Sequence, residues 1–398
     1  MNDAKLIGGI LLIVGTAIGG GMLALPVATA QMGFINSSIF LLVSWLIMTV
    51  SALLILEVNL WLPRNSNIIS MAKATLGKYG ALTAWIFYLL LFYSLVTAYI
   101  AGGGDFLHTL LSGLNIHLSN WTSSLLFSLV LGFIVYKGIQ TVDYVNRGLM
   151  FGKLAAYLVL VAIVLFFISP AKLSGGHMKY ITTSVTVMVT SFGFANIIPS
   201  LRSYFNDDVH KLRRAVIIGS LIPLTCYIIW DLAIMGVIGN NHLIDMLKSG
   251  HSTGMMVSTL SDIINNSYIT LLVKIFTSIC LATSFLGVSL SLSDFLSDGL
   301  KVPKAGKGNL IIYAATFLPP IAIVLVYPAI FIKALSYAGI YCMVLLVILP
   351  ALMTWQGRYR KQLADGPEQV AGGKLMLILL MVSAILIAIS GLLENLYS

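Results

Sequence analysis

Apolar residues run through this chain in long stretches, without the short periodic alternation that is typical of soluble helices and strands. Each stretch can form a helix of about 20 residues, which crosses the roughly 30 Å hydrocarbon core of a bilayer. The longest segment between two stretches, 240–267, has room for a short surface helix. We predict eleven spanning helices, over residues 5–31, 36–61, 80–106, 121–138, 145–169, 178–203, 212–239, 268–297, 309–327, 329–354 and 373–396.

The composition agrees with a membrane protein. Of the 398 residues, 59% are hydrophobic and only 9% are charged, and the mean hydropathy is +0.98. A soluble domain of this length needs more charge to cover its surface. The first apolar stretch lacks the cleavage pattern of a signal peptide. Three cysteines, Cys226, Cys280 and Cys342, lie inside apolar stretches, and their spacing predicts neither a metal site nor a disulfide. We therefore expect no cofactor and no metal.

The positive charges predict an orientation. Eighteen of the 23 lysines and arginines fall on one side of the predicted spans, and three fall in loops on the other side. Cytoplasmic loops carry such an excess. We expect the N-terminus in the cytoplasm and the C-terminus outside. The net charge of +9 is then a signal of topology rather than of nucleic-acid binding.

Two spans share an unusual pattern. Span 1 contains the run 15–26, which reads GTAIGGGMLALP, and span 6 contains the run 190–199, which reads TSFGFANIIP. Each run has small residues at its centre and a proline one to two turns later. Since five spans separate them, the two runs lie antiparallel in the membrane. Paired interrupted spans of this kind indicate an inverted repeat with a binding site between them.

Broken helices free backbone groups that need partners. Each glycine weakens a helix by about 1 kcal/mol relative to alanine, and an unwound segment exposes N–H and C=O groups that hydrocarbon cannot satisfy. Half-helix N-termini attract a carboxylate, and half-helix C-termini attract a cation. An amino acid carries both charges. The alternative is that the glycines only permit close packing of helices.

Three segments carry a resemblance to a known family: the run 15–26, the segment 191–194 (SFGF), and the segment 283–288 (TSFLGV) followed by Asp294 and Phe295. They resemble the bacterial tryptophan/tyrosine permeases of the hydroxy and aromatic amino acid permease family. The resemblance covers essentially the whole chain and favours the tyrosine-specific members. It implies an all-α polytopic protein of the bacterial inner membrane with a leucine-transporter-like 5+5 inverted repeat and broken helices 1 and 6. The repeats would be 1–169 and 178–354, with an additional helix in 373–398.

The resemblance also implies uptake of an aromatic amino acid with protons by alternating access. We expect the substrate backbone to meet the two breaks, with its carboxylate at span 1 and its ammonium at span 6. The expected residues are Thr16, Ala17, Gly19, Gly20, Gly21, Ser191, Phe192, Gly193 and Phe194. Tyr93 and Tyr99 on span 3 would either line an apolar wall or serve only packing. Asn196 would either bind the substrate side chain or cap freed backbone.

Ionisable residues inside spans are candidates for ion coupling. Some proton-coupled proteins of this fold class carry a lysine on span 5 where sodium-coupled ones bind sodium. We expect Lys153 to replace that cation and to exchange a proton; otherwise it extends to the inner interface. Glu57 could pair with a loop arginine, and Asp231 with Lys274 or Lys333. Hydroxyls on span 8, including Thr283 and Ser284, leave sodium coupling as an alternative.

Other functional classes are less consistent with the sequence. It contains no HExxH, GxSxG or Walker motif, so we expect no enzyme. A channel is a stronger rival, although inverted paired breaks favour a carrier. No loop is long enough for the soluble domain of a transporter-like sensor. The expected partners are an aromatic amino acid, a proton or sodium, and the lipid bilayer.

Overall fold

The computed structural model describes residues 2–64, 66–363 and 369–397, and every regular element in those ranges is a helix. The α-helices are α1 (Asn2–Ala17), α2 (Gly20–Ala28), α3 (Phe34–Leu60), α4 (Ile68–Ser112), α5 (Asn120–Tyr136), α6 (Ile139–Val164), α7 (Ile181–Ser191), α8 (Ile198–Phe205), α9 (Val209–Ile238), α10 (Asn240–Ser249), α11 (Ser252–Ile264), α12 (Ser267–Leu300), α13 (Gly306–Val326), α14 (Phe331–Met343), α15 (Leu349–Tyr359) and α16 (Gly373–Tyr397). Met1, Asn65 and Ser398, which belong to the predicted repeats and extra helix, lie outside the described residues.

The helices confirm an all-α polytopic membrane protein. Nine stretches in the described ranges are long and apolar enough to cross a bilayer, and α1 with α2 makes a tenth if the bent pair is one span. The remaining predicted span, 121–138, corresponds to α5, which has 17 residues and is shorter than a usual span of about 20. Each predicted stretch therefore contains a helix, and the lengths support nine or ten spans directly.

The first break is a sharp bend. Helix α1 ends at Ala17 and α2 begins at Gly20, and the two axes differ by 51°. Gly19 between them has an extended backbone, which any residue could adopt. Glycine is needed here for space, because a Cβ at Gly19 would collide with the Ser284 hydroxyl and one at Gly20 with the Tyr99 ring.

The second break is milder than the sequence pattern predicts. A five-residue 3₁₀ helix, Gly193–Ile197, connects α7 to α8, and the stretch Ser184–Phe205 continues as one span. Pro199 lies in the first turn of α8, where its missing N–H leaves no hydrogen bond unmade. The segment around Gly193 is therefore a change of helix type rather than an unwound loop.

The segment 240–267 contains two helices, α10 and α11, where we predicted room for one short surface helix. Both are amphipathic and bury their apolar faces, with Leu243 and Met246 on α10 and Leu260 on α11. Helix α11 packs against α4 and α12, and α10 packs against α2 and α9. The segment thus covers one end of the helical bundle.

Two groups of helices define where the site lies. Helices α1, α2, α3, α7, α8 and α9 pack on one another, and α4, α5, α12 and α13 form a second packed group. Helices α14 and α15, joined by the π-helical segment Val344–Ile348, contact members of both groups. Helix α2 of the first break contacts α12 of the second group, so the polar backbone of this break lies at the boundary between the two groups.

Candidate binding site at the helix breaks

A cavity of about 280 Å³ lies at this boundary. Its walls come from both breaks, from α4, α6 and α12, and from Cys342 of α14. Exposed residues at one end, including Leu12 and Ser291, mark its mouth. At the opposite end, Met22 and Leu25 of α2 are fully buried. The cavity therefore opens towards the beginning of α1 and the end of α12 and is closed beyond the breaks.

The structure brings most of the predicted substrate residues together. Those that line the cavity are Thr16, Ala17, Gly19, Gly21, Tyr99, Ser191, Gly193 and Asn196. Leu91, Phe92 and Leu95 of α4 add an apolar wall beside Tyr99. The Asn196 Oδ1 atom is buried without a hydrogen-bond partner in the described structure, so an acceptor is available beside the cavity.

Three predicted side chains lie elsewhere. Tyr93 is not on the cavity wall, because its hydroxyl donates to Ala315 O of α13 at 2.7 Å. Phe192 is fully buried and packs edge-on against Tyr227, with the ring centroids 5.1 Å apart. Phe194 is also fully buried. These rings support the helices around the cavity and do not form the wall that we expected from the phenylalanines.

Lys153 of α6 contacts the C-terminal end of α1, and its side chain is only 1% exposed. Its ammonium donates to Ile18 O at 2.6 Å, and Gly15 O and the Thr283 hydroxyl lie at 3.4 Å and 3.5 Å. A cation is favoured here because the C-terminal end of a helix carries partial negative charge. The alternative of a lysine that extends to the membrane interface is wrong, since the ammonium stays inside the protein.

Tyr227 on α9 joins the two breaks and is not among the predicted site residues. Its hydroxyl oxygen lies 2.7 Å from Ala17 O and 2.8 Å from Ser191 O, so one proton is shared between the last carbonyls of α1 and α7. The residue is fully buried. Nothing in its position along the sequence distinguishes it from the other tyrosines among the 17 in the chain. Asn146, Thr190 and Ser291 also line the cavity without having been predicted.

Ser284 on α12 caps the first amide of α2. Its Oγ accepts a hydrogen bond from Gly20 N at 2.8 Å. The N-cap residue, Gly19, has no side chain that could satisfy that amide. Lys153, Tyr227 and Ser284 together provide partners from three other helices for the backbone groups that the first break exposes.

Two acidic candidates for coupling lie outside the cavity. Glu57 forms a buried bidentate pair with Arg358 of α15, with both contacts at 2.6 Å, and also accepts from Val370 N at 2.8 Å. The predicted arginine partner is confirmed, although it lies in the last turn of a helix rather than in a loop. The pair connects α3 to α15 and to the segment after α15.

Asp231 is fully buried on α9, away from the cavity lining. Pairing with Lys274 or Lys333 was a wrong prediction, because neither carboxylate oxygen has a hydrogen-bond partner among the described residues. The Thr29 hydroxyl faces the carboxyl group but donates to Leu25 O at 2.7 Å. Among the described residues, no hydrogen bond connects this carboxyl group to Lys153.

Two arginines bind one aspartate and thereby join the ends of α3 and α8, on the side where the cavity opens. Asp207, after α8, accepts from Arg64 and from Arg202, the latter at 2.6 Å. Arg202 also donates to Leu62 O at 2.9 Å and to Asn59 O. Hydrogen bonds from Arg64 and then from Arg202 lower the pKa of the Asp207 carboxyl group. These contacts hold the end of α8 against the end of α3.

A contact between a histidine and an aspartate lies on the opposite side of the bundle. His251, before α11, has its Nδ1 atom 3.1 Å from Asp105 Oδ1 of α4, and Gly254 N donates to Asp105 Oδ2 at 2.7 Å. The hydrogen bond to Asp105 raises the pKa of His251, and partial burial of the ring offsets this in part. The pair holds α11 against α4 and thereby helps to cover the closed end of the bundle.

Comparisons with known proteins agree with the resemblance seen in the motifs. The pattern of the tryptophan/tyrosine permease family matches residues 2–391. Tyrosine-specific transport system 2 of Haemophilus influenzae is 34% identical over 97% of this chain and 96% of its own length. A tryptophan-specific transport protein of Haemophilus influenzae is 31% identical, covering 94% and 93%. Glutamine transporter 2 of Aliivibrio fischeri is 32% identical, covering 97% and 99%.

Proposed function

The chain belongs to the tryptophan/tyrosine permease family, a family of transporters and not of enzymes, and we propose that it imports an aromatic amino acid, tyrosine, by proton symport. The protein is a multi-pass membrane protein. Relatives named for tyrosine and for tryptophan support an aromatic substrate. The observation that carries the proposal is the cavity at the two helix breaks.

The cavity suits one zwitterion with an apolar side chain. Its volume of about 280 Å³ is near the lower end of the roughly 300–1,000 Å³ range of small-molecule pockets. The Gly20 and Gly21 amides at the start of α2 suit the carboxylate, and carbonyl groups around Ser191 suit the ammonium. Tyr99 and the apolar residues of α4 would contact the aromatic ring.

The same apolar wall argues against glutamine. One relative carries the name glutamine transporter 2, so glutamine is a specific second candidate. A glutamine side chain ends in an amide that needs several hydrogen bonds when buried. Asn196 offers one unpaired acceptor, while Leu91, Phe92 and Leu95 offer none in their side chains. This balance favours a ring with one hydroxyl group.

For the architecture we propose eleven spans, with α5 as the eleventh and an inverted repeat that relates spans 1–5 to spans 6–10. The charge bias of 18 to 3 supports a cytoplasmic N-terminus and an outer C-terminus. With this orientation the mouth of the cavity faces the cytoplasm, and α10 and α11 cover the outer side. The structure then corresponds to an inward-facing state of an alternating-access cycle.

For coupling we propose that the Lys153 ammonium is the resident cation of the site. It already contacts the carbonyl of Ile18 and lies near Gly15 O, and backbone carbonyl oxygens are the type of ligand that hard cations prefer. A protonated lysine stabilises the end of α1, and its deprotonation removes that charge. Sodium coupling remains the alternative, and it would require Lys153 to leave these carbonyls.

The test is uptake of labelled tyrosine into proteoliposomes that contain the purified protein. We expect accumulation driven by an inwardly directed proton gradient, without sodium, and competition by tryptophan and phenylalanine exceeding that by glutamine. Counterflow from preloaded vesicles would distinguish a carrier from a channel. A strict requirement for sodium at fixed pH would contradict proton symport, and stronger competition by glutamine would contradict aromatic selectivity.

A further inference from the structure

The hydroxyl of Ser284 occupies the position where the proposal above places a substrate carboxylate. It accepts from Gly20 N at 2.8 Å and belongs to the cavity wall. A hydroxyl oxygen and a carboxylate oxygen are both acceptors for a backbone N–H. The two cannot both accept a linear hydrogen bond from the single Gly20 amide.

The Gly20 amide has no other partner of its own chain segment. Two nearby amides are satisfied locally, because Ile18 N donates to Val14 O at 2.8 Å and Met22 N donates to Gly19 O at 3.1 Å. Gly20 is the first residue of α2, and the first amides of a helix have no intrahelical acceptor. Without Ser284, the Gly20 amide would therefore be an unpaired donor beside the cavity.

Ser284 is separate from the cation at Lys153. The neighbouring residue, Thr283, is the hydroxyl that approaches the ammonium, at 3.5 Å. Ser284 instead lies close against the first break, where a Cβ at Gly19 would collide with its hydroxyl. Of the two hydroxyls, Thr283 therefore lies beside the ammonium and Ser284 lies beside the first break.

We propose that Ser284 is a stand-in for the substrate carboxylate, which caps the Gly20 amide in the empty carrier and is displaced when the amino acid binds. The proposal rests on the proposed function, because it needs an amino-acid substrate at the first break. Displacement also breaks the hydrogen bond between α2 and α12, which belong to different helix groups. Occupancy of the cavity thereby releases α2 from α12.

The stand-in role predicts that substrate affinity increases when the Ser284 hydroxyl is removed, which other roles for Ser284 do not predict. A serine that bound the substrate would weaken binding when removed. A stand-in competes with the substrate, so its removal destabilises the empty carrier and strengthens binding. In the lower part of its usual range, the cost of leaving a buried donor unpaired corresponds to roughly fivefold to twentyfold in affinity.

The experiment is equilibrium binding of labelled tyrosine to the purified full-length protein, together with its melting temperature with and without tyrosine. For Ser284→Ala we expect a Kd about fivefold to twentyfold lower, a lower melting temperature without substrate, and a larger increase on adding tyrosine. Ser284→Thr keeps the hydroxyl and should resemble the wild type. Ser278→Ala, on the same helix with its hydroxyl donating to Lys274 O outside the cavity, is the matched control.

Ser284→Cys provides a second variant if the alanine protein does not fold. A thiol is a weaker acceptor, so this variant should also bind tyrosine more tightly than the wild type. Binding that is unchanged or weaker in Ser284→Ala and Ser284→Cys would overturn the stand-in role while leaving the proposed function intact. A wild-type protein that binds no tyrosine, tryptophan or phenylalanine would instead contradict the proposed function, and the stand-in role with it.

Discussion

The ammonium of Lys153 lies 2.6 Å from the carbonyl oxygen of Ile18, the residue that follows the last turn of α1. The two residues are 135 positions apart, and the contact connects α6 to the first break. A buried cation beside freed carbonyl groups is stabilised by their partial charges. The same contact means that any change in the charge of this lysine acts directly on the end of α1.

Removing the lysine should separate accumulation from exchange. In Lys153→Ala we expect loss of proton-driven accumulation of tyrosine, while exchange between internal and external tyrosine is retained. Uptake in proteoliposomes with and without an imposed pH gradient measures the first property, and counterflow measures the second. Lys274→Ala, which removes a lysine outside the cavity lining, is the control. Proton-dependent accumulation by Lys153→Ala would eliminate the coupling role.

Tyr227→Phe should impair transport beyond its effect on stability. Its hydroxyl bridges Ala17 O and Ser191 O, and leaving these carbonyls unpaired costs about 1–3 kcal/mol. Tyr157→Phe is a matched control, because that hydroxyl donates to Cys226 O at 2.9 Å away from the cavity. Both variants should melt at lower temperature, but uptake should fall strongly only in Tyr227→Phe. Equal losses of uptake would indicate that Tyr227 has only a general structural role.

Asn196→Ala should reduce discrimination between tyrosine and phenylalanine. The Asn196 acceptor is buried beside the cavity without a partner, and a site rejects an analogue lacking a hydroxyl when that analogue leaves a polar group unpaired. We expect the affinity for tyrosine to fall about tenfold, which is roughly 1.4 kcal/mol, with little change for phenylalanine. Competition binding with both amino acids measures the ratio. An unchanged ratio would place recognition of the hydroxyl elsewhere.

Glu57→Gln should destabilise the protein strongly. The carboxylate forms a bidentate pair with Arg358, and the two side chains are 2% and 4% exposed. Removing one partner of a buried pair costs about 3–5 kcal/mol, because the other charge remains buried. The exposed pair between Arg147 and Asp143 provides a comparison, since Asp143→Asn should cost at most about 1 kcal/mol. Thermal unfolding in detergent measures both, and similar small losses would contradict the prediction.

The contact between His251 and Asp105 should make stability depend on pH. The pKa of His251 is raised in the folded protein, so the contact contributes fully below the unfolded pKa of about 6.5. The contribution is lost as the pH rises through the higher folded pKa. The difference in melting temperature between the wild type and His251→Gln should therefore be largest in acid and shrink at alkaline pH. A difference that grows with pH would refute the assignment.

Much of the architecture could be predicted from the chain because the relevant signals are local. Stretches of apolar residues, the lengths that cross a bilayer, and the glycine run at residues 19–21 can each be recognised within about 20 positions. The helix around each predicted span and the sharp break after Ala17 followed from these signals. The weaker second break, with one glycine, became a 3₁₀ segment instead of an unwound loop.

The partners of the broken backbone were decided by tertiary structure alone. Ser284 meets Gly20 across 264 positions, and Tyr227 meets Ala17 across 210, so no local pattern relates them. Packing also left Asp231 without the lysine partner that its charge suggested. The sequence by itself determined which segments enter the membrane and where the first helix breaks, because hydrophobicity and helix propensity act along the chain. Which side chains satisfy that break depends on how distant helices pack, because a freed amide can donate to, and a freed carbonyl can accept from, any suitable group that the fold places within about 3 Å.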